Sequence, residues 1–208
     1  MTSKTIFATS RMAVLAAAVS AATLLGACAP LLVGGAMVGT ALSVTDRRTS
    51  GAQLEDQSIE LKAINRVREA AGSDANVSVT SYNRTVLITG EVPTEAARVA
   101  TEQAVARIEN VRGTVNELAV MGSTPLAARS NDAILGSKVK AAFVDANDLQ
   151  ANAFKVVAER GTIYLMGRVT EREANRATEL ARATSGVGKV VKVFEILSEA
   201  ELASLQSR

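Results

Sequence analysis

Apolar and polar positions along the chain trace one mixed helix and strand pattern, which is clearest between residues 131 and 197. Leu135, Val139, Ala142 and Phe143 recur at helical spacing. Two apolar-rich stretches, "AFKVVAE" and "TIYLMGRV", flank Arg160-Gly161, a pair suited to a hairpin turn. Thr170 followed by Glu173 has the spacing of a capping box, in which hydroxyl and carboxylate satisfy each other's free backbone amides at a helix start. Val169 is placed to staple onto Ala174, and the row Ala174, Ala177, Ala181 lets this helix lie close on a sheet. "GKVVKVFEIL" then returns as a last strand, parallel to the second because a helix separates them. The predicted order is αββαβ, an α+β fold with a small three-stranded mixed sheet and two helices on one face.

The pattern occurs twice. "RTVLITGEVPTEAARVATEQA" from Arg84 matches "GTIYLMGRVTEREANRATELA" from Gly161 at an offset of 77, pairing Gly90 with Gly167 and Val92 with Val169. Ala97, Ala100 and Ala104 pair with Ala174, Ala177 and Ala181, and upstream Ile59 and Ile64 pair with Ile134 and Val139. A repeat of this size indicates a duplicated small domain, with units at 54–120 and 131–197 and "MGSTPLAARS", residues 121–130, as connector. The tail 198–208 opens with a second capping-box pattern, Ser198 to Glu201, and reads as a short helix.

Upstream, Lys4 and Arg11 precede an almost unbroken apolar run, Met12 to Leu25, too short to span a bilayer and laid out like a secretory signal peptide. The chain's single cysteine follows at Cys28. Leu25-Gly26-Ala27-Cys28 resembles the bacterial lipobox, which implies cleavage after residue 27 and acylation of Cys28, palmitate being one such chain; several acyl chains anchor a protein firmly. Ala29, where sorted lipoproteins of the inner membrane carry Asp, favours the outer membrane. Residues 28–53 form the lipidated N-terminus and linker: "LLVGGAMVGTALSV" is apolar but glycine-broken and too short to span, and "TDRRTSGAQ" is polar and turn-rich. A membrane-hugging or partner-covered tether and plain disorder are both open readings of it.

Removing residues 1–27 leaves 21 basic and 21 acidic side chains, which argues against a nucleic-acid partner. With no histidine and one cysteine there is no disulfide and no ordinary metal site, so no cofactor is expected. "SGVGKV" fails as a phosphate loop, since Ala183 stands where a glycine is required and Val190 where Ser or Thr should follow the lysine. Glu171 and Glu173, two apart on a helix, do not face each other. No catalytic constellation emerges, and a non-enzymatic binding module is expected.

The αββαβ order, the "GxV" strand end and the "GV…V" before the last strand resemble the BON domain. Two copies behind a lipobox, with "TDRRTSGAQLED" leading into the first and "SNDAILGSKV" and "GRVTEREA" in the second, resemble the dual BON-domain outer-membrane lipoproteins. That resemblance implies a periplasm-facing envelope-integrity protein whose second domain binds anionic phospholipid, phosphatidylglycerol or cardiolipin, through its first helix and gathers at division sites. It leaves a rival class open: an adaptor using exposed sheet faces or strand edges to recruit outer-membrane assembly machinery or regulators of cell-wall hydrolases.

The residues of that helix suit a lipid surface on their own terms. Ile134, Ala141 and Val144 fall outside the core stripe in company with Lys138 and Lys140, giving apolar groups for the acyl boundary and cations for phosphates. A protein-facing surface and an ordinary solvated face remain alternatives. In the first domain Ile59, Ala63, Ile64 and Val67 read as core, and Lys62, Asn65, Arg66 and Glu69 mostly fill the other side. Residues 56–120 carry 7 basic and 9 acidic side chains, residues 131–197 carry 10 and 8.

Overall fold

The computed structural model describes residues 46–206. The leader 1–27, Cys28 and the apolar stretch 31–44 lie outside the described residues. The first copy comprises α1 (Ser50–Ala71), β1 (Asn76–Tyr82), β2 (Thr85–Val92), α2 (Glu95–Ala106) and β3 (Gly113–Val120). The second comprises α3 (Leu126–Asp145), a 3-10 turn (Ala151–Ala153), β4 (Phe154–Glu159), β5 (Thr162–Thr170), α4 (Glu171–Ala183) and β6 (Lys189–Leu197), followed by α5 (Glu199–Gln206). In each sheet the middle strand pairs antiparallel with the strand before it and parallel with the strand after the helix, the mixed topology expected.

Two elements begin earlier than the pattern suggested. Thr49 caps α1 by accepting the Ala52 amide at 3.1 Å, so residues 50–53 are helix, not linker. Pro125 stands at the start of α3, which absorbs residues 126–130 of the expected connector; proline's fixed φ suits a helix entrance. The capping box forms as drawn: Thr170 N–H donates to Glu173 at 3.0 Å and Glu173 N–H donates to the Thr170 hydroxyl at 3.4 Å. Ser198 and Glu201 close the same box on α5, at 2.8 and 3.2 Å.

Both hairpins are two-residue turns with positive φ at both positions, Asn83-Arg84 and Arg160-Gly161, the geometry that matches strand twist. In each copy a buried aspartate on the opening helix holds that turn. Asp56 accepts the amides of Asn83 and Arg84, both at 2.8 Å, and Asp132 accepts those of Arg160 and Gly161 at 2.8 and 2.9 Å. The carboxylate offsets the strain of a left-handed arginine at position 84 in the first copy, where the second uses glycine. The repeated strand glycines have a plain cause too: a Cβ on Gly90 would lie 2.0 Å from the Asn76 carbonyl oxygen, and one on Gly167 2.6 Å from that of Ala153.

These latches fix the true register of the opening helices. Asp56, Ile59, Ala63 and Val67 correspond to Asp132, Leu135, Val139 and Phe143, an offset of one residue from the Ile59–Ile134 pairing. Ile64 is therefore not core: it is 54% exposed, alongside Leu54 and Leu61. Ala142 is half-buried, and the rest of the α3 stripe is buried as expected. The alanine row is closed in α4, where Ala174, Ala177 and Ala181 are all buried, but Ala100 of α2 is exposed and Thr101 and Val105 take the inward positions.

The two sheets share a third core. On the helix-bearing faces, Val86, Ile88 and Val92 pack under α1 and α2, and Ile163, Leu165 and Val169 under α3 and α4. Strand alternation sends Leu87 of β2 and Tyr164 and Met166 of β5 to the opposite faces, where they meet Tyr82, Val115, Val157, Val191 and Val193 in one cluster. The sheet faces expected to be exposed thus cover each other. Tyr82, Leu87, Tyr164 and Met166 are each at most 5% exposed, and each contributes roughly 2 kcal/mol by burial.

Asp132→Ala is expected to lower the unfolding free energy by about 3 kcal/mol, since two turn amides lose a charged acceptor. Urea unfolding followed by circular dichroism measures this, and Asp132→Asn, with one acceptor oxygen left, should lose less.

Candidate membrane-facing helix

Polar contacts around the shared core fix how the domains hold each other. The Arg47 guanidinium, just ahead of α1, makes paired bonds of 2.7 Å to both Glu173 oxygens and a third of 2.9 Å to the Arg168 carbonyl. Both side chains are buried. Burial pushes the Glu173 carboxyl up, but the Arg47 bonds and the Thr170 amide outweigh it and hold it below the usual carboxylate value. The capping glutamate legible in the sequence is thus also the seat of a strap from the opposite domain, a partner that no local spacing revealed. Arg48 lies over the Tyr82 ring at 4.2 Å and pairs with Asp56 at 2.8 Å.

At the other end Glu91 is fully buried. It accepts from Asn76 Nδ2 at 2.9 Å, the Thr124 hydroxyl at 2.7 Å and Arg160 Nη1 at 2.8 Å. Desolvation raises the carboxyl's pKa, and these three donors together with the Thr124 amide overcome it and bring it down to about 2. Arg160 also donates to the Gly90 carbonyl at 2.8 Å, so the second domain's hairpin turn is docked on the first sheet, and Thr124 ties the connector down beside it.

With sheet faces closed and turns docked, the outer surfaces of α1 and α3 are left to solvent. On α3, Ile134, Lys138, Lys140, Ala141 and Val144 are all exposed, Ile134 by 55% and Val144 by 66%. Ile134, Lys138 and Ala141 follow one another at i, i+4 and i+7 and form one row. Val144 lies one turn beyond Lys140 on the neighbouring row. Lys140 is partly drawn aside, its Nζ donating to the Phe154 carbonyl at 3.3 Å. Leu126, 74% exposed, stands in the first turn of α3, two turns before Ile134, in a stretch that the sequence pattern assigns to the connector. A shallow cavity of about 620 Å³ opens beside this row, with Ile134, Lys138, Asn131 and Ser185 on its wall.

Among the described residues no group of three or more His, Cys, Asp or Glu is arranged to hold a metal ion, and no helix is long and apolar enough to cross a membrane. The model of the BON domain matches residues 56–122 and again 131–198. The chain belongs to the BON-domain family. It is 36% identical over 186 residues to the outer membrane lipoprotein DolP of Haemophilus influenzae, covering 88% of this chain and 95% of that one. It is 30% identical over 151 residues to a 21 kDa hemolysin of Actinobacillus pleuropneumoniae, covering 72% of this chain and 78% of the relative. The chain thus carries two BON domains and resembles that lipoprotein over most of its length, a likeness that supports a place at the outer membrane.

Because the Glu91 pKa is lower folded than the ordinary 4.5, its pairing stabilises fully above that range and is lost as pH falls through about 2. Glu91→Gln is expected to cost about 3 kcal/mol at neutral pH. In urea titrations at several pH values the gap between wild type and variant should narrow as the solution is acidified below 4.5.

Proposed function

We propose that this BON-domain protein is a non-enzymatic module anchored by acyl chains on Cys28, and that it binds anionic phospholipid through α3 of its second BON domain. The observation that carries this reading is the α3 surface: Ile134 exposed one turn before Lys138 and Val144 exposed one turn beyond Lys140, on a helix whose opposite stripe is buried in its own core. Apolar side chains enter the acyl boundary while the ammonium groups meet lipid phosphates. The second domain has the basic surplus, 10 basic to 8 acidic side chains over residues 131–197, where the first is acidic. Phosphatidylglycerol and cardiolipin are the lipids whose charge fits. In this account the tether and α3 are two attachments of one device on the periplasmic face of the outer membrane, supporting envelope integrity at division sites.

A second reading, an adaptor for outer-membrane assembly or for regulators of cell-wall hydrolases, is favoured by a different observation. The apolar residues on α1, Leu54, Leu61 and Ile64, stand on a domain without the basic surplus that lipid would attract.

Residues 29–208, lacking the anchor, are expected to sediment with vesicles containing phosphatidylglycerol or cardiolipin and not with neutral vesicles. Binding should weaken with salt, and an Ile134→Glu, Lys138→Glu double variant with native circular dichroism should not bind. Failure of the wild-type chain to bind anionic vesicles would overturn the lipid reading.

A further inference from the structure

The two opening helices sit alike on their sheets, but the space between each helix and the neighbouring edge strand differs. In the first domain a groove of about 930 Å³ runs between α1 and β1, walled by Leu61, Ile64, Val67, Val77 and Val79. In the second the corresponding space is about 350 Å³. By the latch register Leu61 and Ile64 are replaced there by Ser137 and Lys140, and Lys140 reaches across to the Phe154 carbonyl at 3.3 Å. One copy of the duplicated fold has its groove filled and made polar, and the other keeps it open and apolar.

The open groove also presents hydrogen-bonding backbone. Among the described residues β1 is an edge strand, paired on one side only, with β2. Ser81 N–H donates to Glu60 at 2.8 Å and its carbonyl accepts from Lys155 at 3.4 Å, so this residue's backbone points away from β2. Antiparallel pairing alternates the two directions, so Val79 and Val77 turn their N–H and C=O groups the same way, into the groove. Nothing in the described residues outside the strand bonds them. Glu60 and Lys155, paired at 3.0 Å, close the groove beside Ser81. At the opposite end the lining includes Arg68, exposed and without an ion-pair partner among the described residues.

We propose that the groove between α1 and β1 takes an extended segment of a partner protein as an added strand on β1, with alternate apolar side chains on Leu61 and Ile64 and an acidic group at Arg68. An edge strand beside a helix is a recurrent way to hold a peptide: main-chain bonds give affinity, and pockets for alternate side chains give specificity. An acyl chain would fill the apolar walls yet leave the Val77 and Val79 backbone unpaired, and the unpaired guanidinium calls for a negative charge at that end. The groove is separate from the α3 surface, so the two functions stand or fall apart.

The probe is a phage-displayed library of random twelve-residue peptides selected on the full chain, followed by amide hydrogen exchange with a selected peptide bound. The expected result is a family of peptides with apolar residues at alternate positions and an acidic residue at one end. Binding should slow exchange of the Val77 and Val79 amides at least tenfold. Leu61→Lys, a change at an exposed site, should weaken binding at least tenfold without altering circular dichroism or vesicle binding, and Arg68→Glu should abolish the acidic preference. Selected peptides without that pattern, or bound peptides that leave both amides exchanging freely, overturn the proposal. Protection of the same amides that rises with chain concentration in the absence of peptide overturns it in favour of a second copy.

Discussion

A three-stranded sheet with helices on one face has an apolar problem on the other. Leu87, Tyr164 and Met166 point away from their own helices simply because strand side chains alternate, and among the described residues the side chains that cover them come from the two sheets themselves. The duplication supplies the cover: each sheet is the other's missing layer. Everything else about the molecule follows from that packing, since once the sheets face inward only helices, turns and strand edges remain to meet a membrane or a partner.

The charged contacts around the shared core are specific rather than numerous. Arg47 with Glu173 and Arg160 with Glu91 each join the two halves of the chain through a buried carboxylate. A buried ion pair gives little net stability beside a hydrophobic replacement, but losing one partner is costly, so such pairs penalise any other docking of the sheets. They also connect local structure to placement: the carboxylate that caps α4 holds the strap before α1, and the turn held by Asp132 carries the arginine that reaches Glu91.

Local chemistry was legible in the sequence, and docking was not. The αββαβ order, the Thr170–Glu173 box, the Arg160-Gly161 turn and the exposure of Ile134, Lys138 and Val144 all follow from spacing within a few residues. Ile59 and Ile64 align well with Ile134 and Val139 as letters, one position away from the register fixed by Asp56, which reaches a turn 27 residues away. A polar residue that looks like solvated surface in a helical pattern is a buried latch in the fold. In the register that the latch fixes, Ile64 leaves the core and stands exposed on the wall of the groove. The covering of the sheets was out of reach for the same reason: Leu87 and Met166 read as ordinary strand residues, and nothing near them in sequence states what they touch.

If each sheet is the other's cover, the two BON domains unfold as one unit. Urea unfolding followed residue by residue through backbone amide resonances tests it, with Ile88 reporting the first domain's sheet and Leu165 the second's. Both native signals are expected to disappear with the same midpoint, as one cooperative transition. Loss of the Ile88 signal while that of Leu165 persists, or the reverse, would show that each domain is stable without its cover and would contradict it.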